Sequence, residues 1–77
     1  MTLAVVISTP QEIIFKGQAN SVILPGERGT FEVLAFHKPC LSRLIAGKVS
    51  IDGKSFDIIR GAARIFRNNL TLIVEVP

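Results

Sequence analysis

Lys48-Val49-Ser50-Ile51-Asp52-Gly53-Lys54-Ser55-Phe56-Asp57-Ile58 has two alternating arms around a central Asp-Gly pair. Lys48 to Ile51 and Lys54 to Ile58 flank that pair, and both arms follow the alternation by two that an extended chain shows. Asp-Gly accepts positive φ at both central positions of a primed turn, whose twist matches that of two antiparallel strands. The segment is predicted as a β-hairpin. The period of two continues on both sides of it, and no window is long enough to show a 3.6-residue repeat.

Upstream, Leu3 to Ile7 reads as a strand closed by Ser8-Thr9-Pro10, where the proline removes a ladder donor. Glu12 to Phe15 is a short run stopped by Lys16-Gly17, and Ser21 to Leu24 places Val22 and Leu24 on one face. Pro25-Gly26-Glu27-Arg28-Gly29 is expected to be a loop, because two glycines and a proline interrupt the pattern. In Thr30-Phe31-Glu32-Val33 the apolar pair Phe31 and Val33 points inward. Ala35 to Pro39 is the least regular part, and Leu41 to Leu44 fits one helical turn or another strand. Downstream, Ala63 to Arg67 and Leu70 to Val76 flank Asn68-Asn69, a second primed-turn candidate, with Leu70, Leu72, Val74 and Val76 on one side. The expected fold is all-β: one small antiparallel β-sandwich or flattened barrel of about eight to ten short strands.

Seventy-seven residues, 48% of them hydrophobic, suffice for one domain over residues 1–77 and exclude a second. At 8.4 kDa the folded chain should expose roughly 4,600 Å² of about 12,200 Å². Burying the apolar part of the difference yields about 115 kcal/mol, and ordering the chain at about 1.5 kcal/mol per residue costs about as much. External support is therefore expected. One cysteine and one histidine cannot build a disulfide framework or a zinc site, which leaves a partner subunit. The net charge of +3 is spread singly along the chain, and only Arg60, Arg64 and Arg67 cluster. Arg60 and Arg64 share strand parity while Arg67 falls on the opposite face, so a solvated sheet face is the expectation for them, the competing reading being contact with acidic residues of a partner or with anionic head groups. The longest apolar stretch, Leu3 to Ile7, is far below the ~20 residues of a membrane helix. No basic residue precedes it, and a lone Cys40 suits a reducing compartment, so cytosolic residence is expected.

Catalytic chemistry finds little to work with. Nucleophilic catalysis needs a nucleophile, a base and an orienting group that converge. His37 and Cys40 are the only imidazole and thiol, and beside Pro39 they read as a turn residue and a small buried hydrophobe. Gly26-Glu27-Arg28-Gly29 lacks the Lys-Ser/Thr of a phosphate loop. No catalytic residue, cofactor or metal is expected. The alternative the charge supports is a small basic β-barrel that binds single-stranded nucleic acid, although five Phe with no Tyr or Trp make a poor stacking platform.

Thr9-Pro10, Ile14-Phe15-Lys16-Gly17 and Leu24-Pro25-Gly26-Glu27-Arg28-Gly29-Thr30-Phe31-Glu32-Val33-Leu34 together resemble the amino-terminal domain of the epsilon subunit of bacterial F-type ATP synthases. His37-Lys38-Pro39-Cys40-Leu41 is similar to that family's His-x-Pro-x-Leu, Leu44-Ile45-Ala46-Gly47 to its Leu-x-x-Gly, and Gly61 with Leu70-Thr71-Leu72 to the start and end of its last hairpin. The resemblance implies a flattened β-sandwich without catalytic activity. It also implies binding to the gamma subunit and the c-ring of the central stalk, on the cytoplasmic side of the bacterial inner membrane. The partner-contact candidates it points to are Gly26, Glu27, Arg28, Gly29 and Thr30 in one loop and Phe36, His37, Lys38 and Pro39 in another. Both loops are expected at the end near ring and gamma.

Four departures accompany the match, one of them Gly61-Ala62 where the family has a paired glycine near its last hairpin. The family's carboxy-terminal helical hairpin is expected to be absent, because the chain stops at Val76-Pro77. Ala35-Phe36 stands where Pro-Gly is frequent, and Glu32 where a glycine is. Phe36 is expected to fold inward to fill a small core, the competing reading being an exposed interface anchor.

Overall fold

The computed structural model describes all residues, Met1–Pro77, and contains nine strands and no helix. They are β1 (Leu3–Ser8), β2 (Ile13–Ala19), β3 (Ser21–Gly26), β4 (Gly29–Leu34), β5 (Cys40–Leu44), β6 (Gly47–Ile51), β7 (Lys54–Ile58), β8 (Arg60–Phe66) and β9 (Asn69–Glu75). The hydrogen-bonded path runs β2-β1-β9-β8-β5-β3-β6-β7, with β4 on β3. β5 meets β3 only at the Leu44–Gly26 pair. The path folds over at that corner, giving a five-stranded layer β2-β1-β9-β8-β5 on a four-stranded layer β4-β3-β6-β7. All pairings are antiparallel except β1 with β9.

Alternation does the sorting. Leu3, Val5 and Ile7 of β1, Ala63 and Ile65 of β8, and Leu70, Leu72 and Val74 of β9 point inward from the first layer. Val22 and Leu24, Val33, Val49 and Ile58 meet them from the second, and no polar side chain is buried. Phe15, Ile51 and Phe56 half-fill a cleft of about 530 Å³ where the β2 and β7 edges face each other. The accessible surface is 5035 Å², somewhat more than the roughly 4,600 Å² of a typical chain this size. No helix is long and apolar enough to cross a membrane.

The Asp52-Gly53 hairpin forms as predicted, with φ of 48° and 87°. Other boundaries differ from the sequence expectation. β2 runs through Lys16-Gly17, where Gly17 pairs with Val5 on β1. β3 carries Pro25 and Gly26 to its end, because Pro25 needs no ladder N–H while its carbonyl accepts from Ile45 N at 2.9 Å. Leu41–Leu44 is strand, held against β8. The second hairpin turns at Arg67-Asn68, one residue earlier than Asn68-Asn69. A turn at 68–69 would pair Arg67 with Leu70 on the buried face, and burying an unpaired guanidinium costs more than holding Arg67 at φ 51°. Val76 lies past β9 and is exposed.

Candidate partner-contact site

Strand polarity sorts every connection to one of two ends. The first end carries the turns 9–12, 27–28 and 45–46, residue 59 and the carboxy terminus. The second carries the amino terminus, Asn20 and the turns 35–39, 52–53 and 67–68. The two candidate loops are consequently separated, not gathered at one end as expected: the length of β4, about 17 Å at about 3.3 Å per residue, lies between them.

At the first end the loop contracts to a tip of two residues, Glu27-Arg28. Gly26 is buried at the sheet corner, where a Cβ would stand 2.7 Å from Gly29 O and 2.7 Å from the Phe31 ring. Glycine is there for close approach. Gly29 holds φ 127°, a conformation that suits glycine alone, and so returns the chain into β4. Glu27 N donates to Arg43 O at 3.1 Å, and the two side chains form an exposed ion pair at 3.7 Å. Glu27, Arg28, Gly29 and Thr30 are all exposed, and open depressions of about 590 and 530 Å³ flank the tip.

At the second end Phe36 is 65% exposed with φ 62°. The expectation that it folds inward is overturned. Its backbone occupies the position that a glycine would fill most easily, and the left-handed conformation turns the ring away from the core. His37 N donates to Leu34 O at 3.2 Å, and Phe36 N donates to Asn68 Oδ1 at 2.8 Å. Asn68 Nδ2 in turn donates to Thr2 O at 2.9 Å. His37 is half-buried and its Nδ1–H donates to Lys38 O at 2.8 Å, while Lys38 and Pro39 are exposed. Cys40 is half-buried against the core and forms no hydrogen bond with His37. No three His, Cys, Asp or Glu side chains converge on a common point.

Sequence reasoning missed the residues that hold these turns. Asn68 appeared only as a turn former, although it fastens the Phe36 turn and the amino-terminal strand together. Asp52 accepts from Asn20 N at 3.0 Å and from Ser21 N at 2.9 Å, thereby fixing the β2–β3 corner. A carboxylate beside Gly53 in a primed turn was the available signal, but its acceptors' partners are some thirty residues away and invisible to local pattern.

The structure is a two-layer β-sandwich with no buried polar side chain, open grooves, and turns fixed by hydrogen bonds. Residues 2–76 match the family of the ATP synthase delta/epsilon chain β-sandwich domain, and the chain belongs to that family. It is 42% identical over 74 residues to the ATP synthase epsilon chain of Chlorobaculum tepidum, covering 90% of this chain and 84% of that one. It is 40% identical over 79 residues to the epsilon chain of Nitratiruptor, covering 96% of this chain but 61% of that one. Its fold matches a chain of the Euglena gracilis mitochondrial ATP synthase with a TM-score of 0.87 at 18% identity, over 95% of this chain and 50% of that one. A chain from the Tetrahymena thermophila central stalk and c-ring structure gives 0.82 at 13% identity, over 97% and 64%. The family is that of a structural subunit and not a catalytic one.

Proposed function

We propose that the chain is a non-catalytic central-stalk subunit of a rotary F-type ATP synthase, one that binds the gamma subunit and the polar loops of the c-ring. In this reading it helps pass ion-driven rotation of the ring to gamma by rigid attachment, and it belongs to the membrane periphery on the cytoplasmic side through the complex alone. The observation that carries the reading is the family match across residues 2–76 of a sandwich whose whole interior is used for packing. With no polar group inside, function is left to the surface. The two turns support it further. A subunit that links two partners needs two separated contact surfaces, and the Gly26–Thr30 tip and the Phe36–Pro39 turn stand at opposite ends of β4. Both are fixed by hydrogen bonds before any partner arrives, which lowers the entropy lost on binding.

Size-exclusion co-elution with the gamma subunit from the same source, at low and moderate salt, tests the reading. Stable co-elution is the expected result. No association at any salt would overturn it.

A further inference from the structure

The two outer faces of the sandwich differ in charge. On the four-stranded layer the outward positions include Glu32, Lys48 and Asp57, with Lys48 and Asp57 paired at 2.8 Å. On the five-stranded layer Arg43, Arg60 and Arg64 project outward, and Glu75 is the carboxylate among them. Arg60 takes up Glu75 at 3.5 Å and Arg43 reaches Glu27, so Arg64 is left without an ion pair. Arg67 joins it. Strand parity alone sends Arg67 to the opposite face, but the turn ends the alternation, and its guanidinium lies 5.3 Å from the centroid of Phe66, with that of Arg64 at 5.6 Å.

Apolar surface accompanies this charge. Leu41 is directly opposite Arg64 in the β5–β8 register and is 79% exposed, and Ile73 on β9 is 55% exposed. Stacking on Phe66 pre-orients two cations whose charge is not neutralised within the chain, which reduces what they lose on being ordered by a carboxylate. Arginines against an aromatic ring beside exposed aliphatic side chains have the composition of a protein-binding hot spot.

We propose that the outer face of the five-stranded layer, around Leu41, Arg64, Phe66 and Arg67, is a docking surface for a protein partner that presents carboxylates beside apolar side chains. The inference rests on the stalk-subunit reading and goes beyond it by naming the face and the partner's chemistry. Complementary charge favours such a partner over a neutral one, and the apolar side chains favour a protein over a purely electrostatic contact.

The experiment measures affinity for the gamma subunit from the same source by biolayer interferometry, with wild type, Arg64→Glu, Arg64→Lys, Leu41→Ser and, on the opposite face, Glu32→Gln. Arg64→Glu and Leu41→Ser should each weaken binding at least ten-fold, Arg64→Lys should recover much of the loss, and Glu32→Gln should change it less than two-fold. Association of the wild type should slow at least ten-fold between low and high salt. Circular dichroism melts show whether each variant is folded, and these positions are exposed, so the melts should be unchanged. Wild-type binding that ignores the Arg64 and Leu41 substitutions would overturn this inference alone. Absence of wild-type binding would overturn the stalk reading and this inference with it. Arg64-dependent binding to phosphatidylglycerol vesicles, with gamma binding indifferent to Arg64, would assign the face to a membrane and overturn the proposal.

Discussion

Asn68→Ala is expected to be among the most damaging single changes outside the core. The side chain makes two hydrogen bonds to backbone that no other group satisfies: Phe36 N at 2.8 Å and Thr2 O at 2.9 Å. Each is worth about 1 kcal/mol. The residue also holds φ 61°, where alanine costs about 1 kcal/mol more and asparagine is well tolerated. The sum is about 3 kcal/mol, against a total stability of about 4 to 12 kcal/mol for a domain of this length. Asn68→Gly removes the same two hydrogen bonds but relieves the backbone, so it should lose about 2 kcal/mol. Asn68→Asp keeps the acceptor for Phe36 N and loses the donor to Thr2 O, and it should fall closer to wild type than Asn68→Ala does. Urea unfolding followed by circular dichroism reads all three, with the slope against denaturant unchanged if the native state is otherwise intact. A loss under about 1 kcal/mol for Asn68→Ala would refute the clamp. Equal losses for the alanine and glycine variants would refute the backbone part of the reasoning while leaving the hydrogen bonds standing.

Gly26→Ala forces a methyl to 2.7 Å from Gly29 O and from the Phe31 ring, and should cost about 2 kcal/mol, or roughly 8–16 °C in Tm. Gly17→Ala, whose added carbon meets only the Phe15 ring at 3.6 Å, is the control and should lose less than half as much in the same melt. Asp52→Ala removes the acceptor of Asn20 N and Ser21 N from a residue at φ 48°; the expected loss is about 2 kcal/mol by urea unfolding, and Asp52→Asn should restore part of it. Phe36→Gly trades about 1–2 kcal/mol of left-handed backbone strain for a smaller entropy cost in the unfolded chain, so thermal melts should show stability unchanged or raised. A loss above about 1 kcal/mol would contradict an exposed Phe36 in that conformation.

Most strands were legible because each contributes one apolar face, and a period of two needs only a few residues to show. Phe31 and Val33, expected inward, are inward, Phe31 half-buried, and of the row Leu70, Leu72, Val74 and Val76 expected on one side the first three are buried. Two of the differences, at Gly17 and at Pro25-Gly26, fell where glycine or proline belongs to a strand and not to a turn. Gly26 and Pro25 end β3 at the corner between layers: glycine because Gly29 and Phe31 leave no room for a side chain, proline because its position asks only for a carbonyl. Read locally, the same two residues signal a loop. Nothing nearby in sequence states that Leu44 and Ile45 will arrive alongside.

The site was legible in its residues and not in its grouping. Every contact candidate from Glu27 to Thr30 and from Phe36 to Pro39 is exposed or half-exposed, but the spacing of loops along a chain does not reveal which end of a sandwich each one reaches. That depends on counting strand polarity: one strand, β4, lies between the two loops, and an odd number of strands reverses the end. Phe36 carries the same lesson at the scale of one side chain. Hydrophobicity sends it inward, whereas the turn closed by His37 N on Leu34 O holds position 36 at φ 62° and sends it out. A bulky residue kept in a conformation that glycine adopts freely costs about 1–2 kcal/mol in a domain with little to spare. Asn68 offsets that cost by binding the Phe36 amide, and the same asparagine forms the turn that brings Arg67 onto Phe66. The stability of the second end and the presentation of the arginine face are therefore coupled through one residue. A change at Asn68 should weaken partner binding as well as folding, and Arg64 substitutions should affect binding alone.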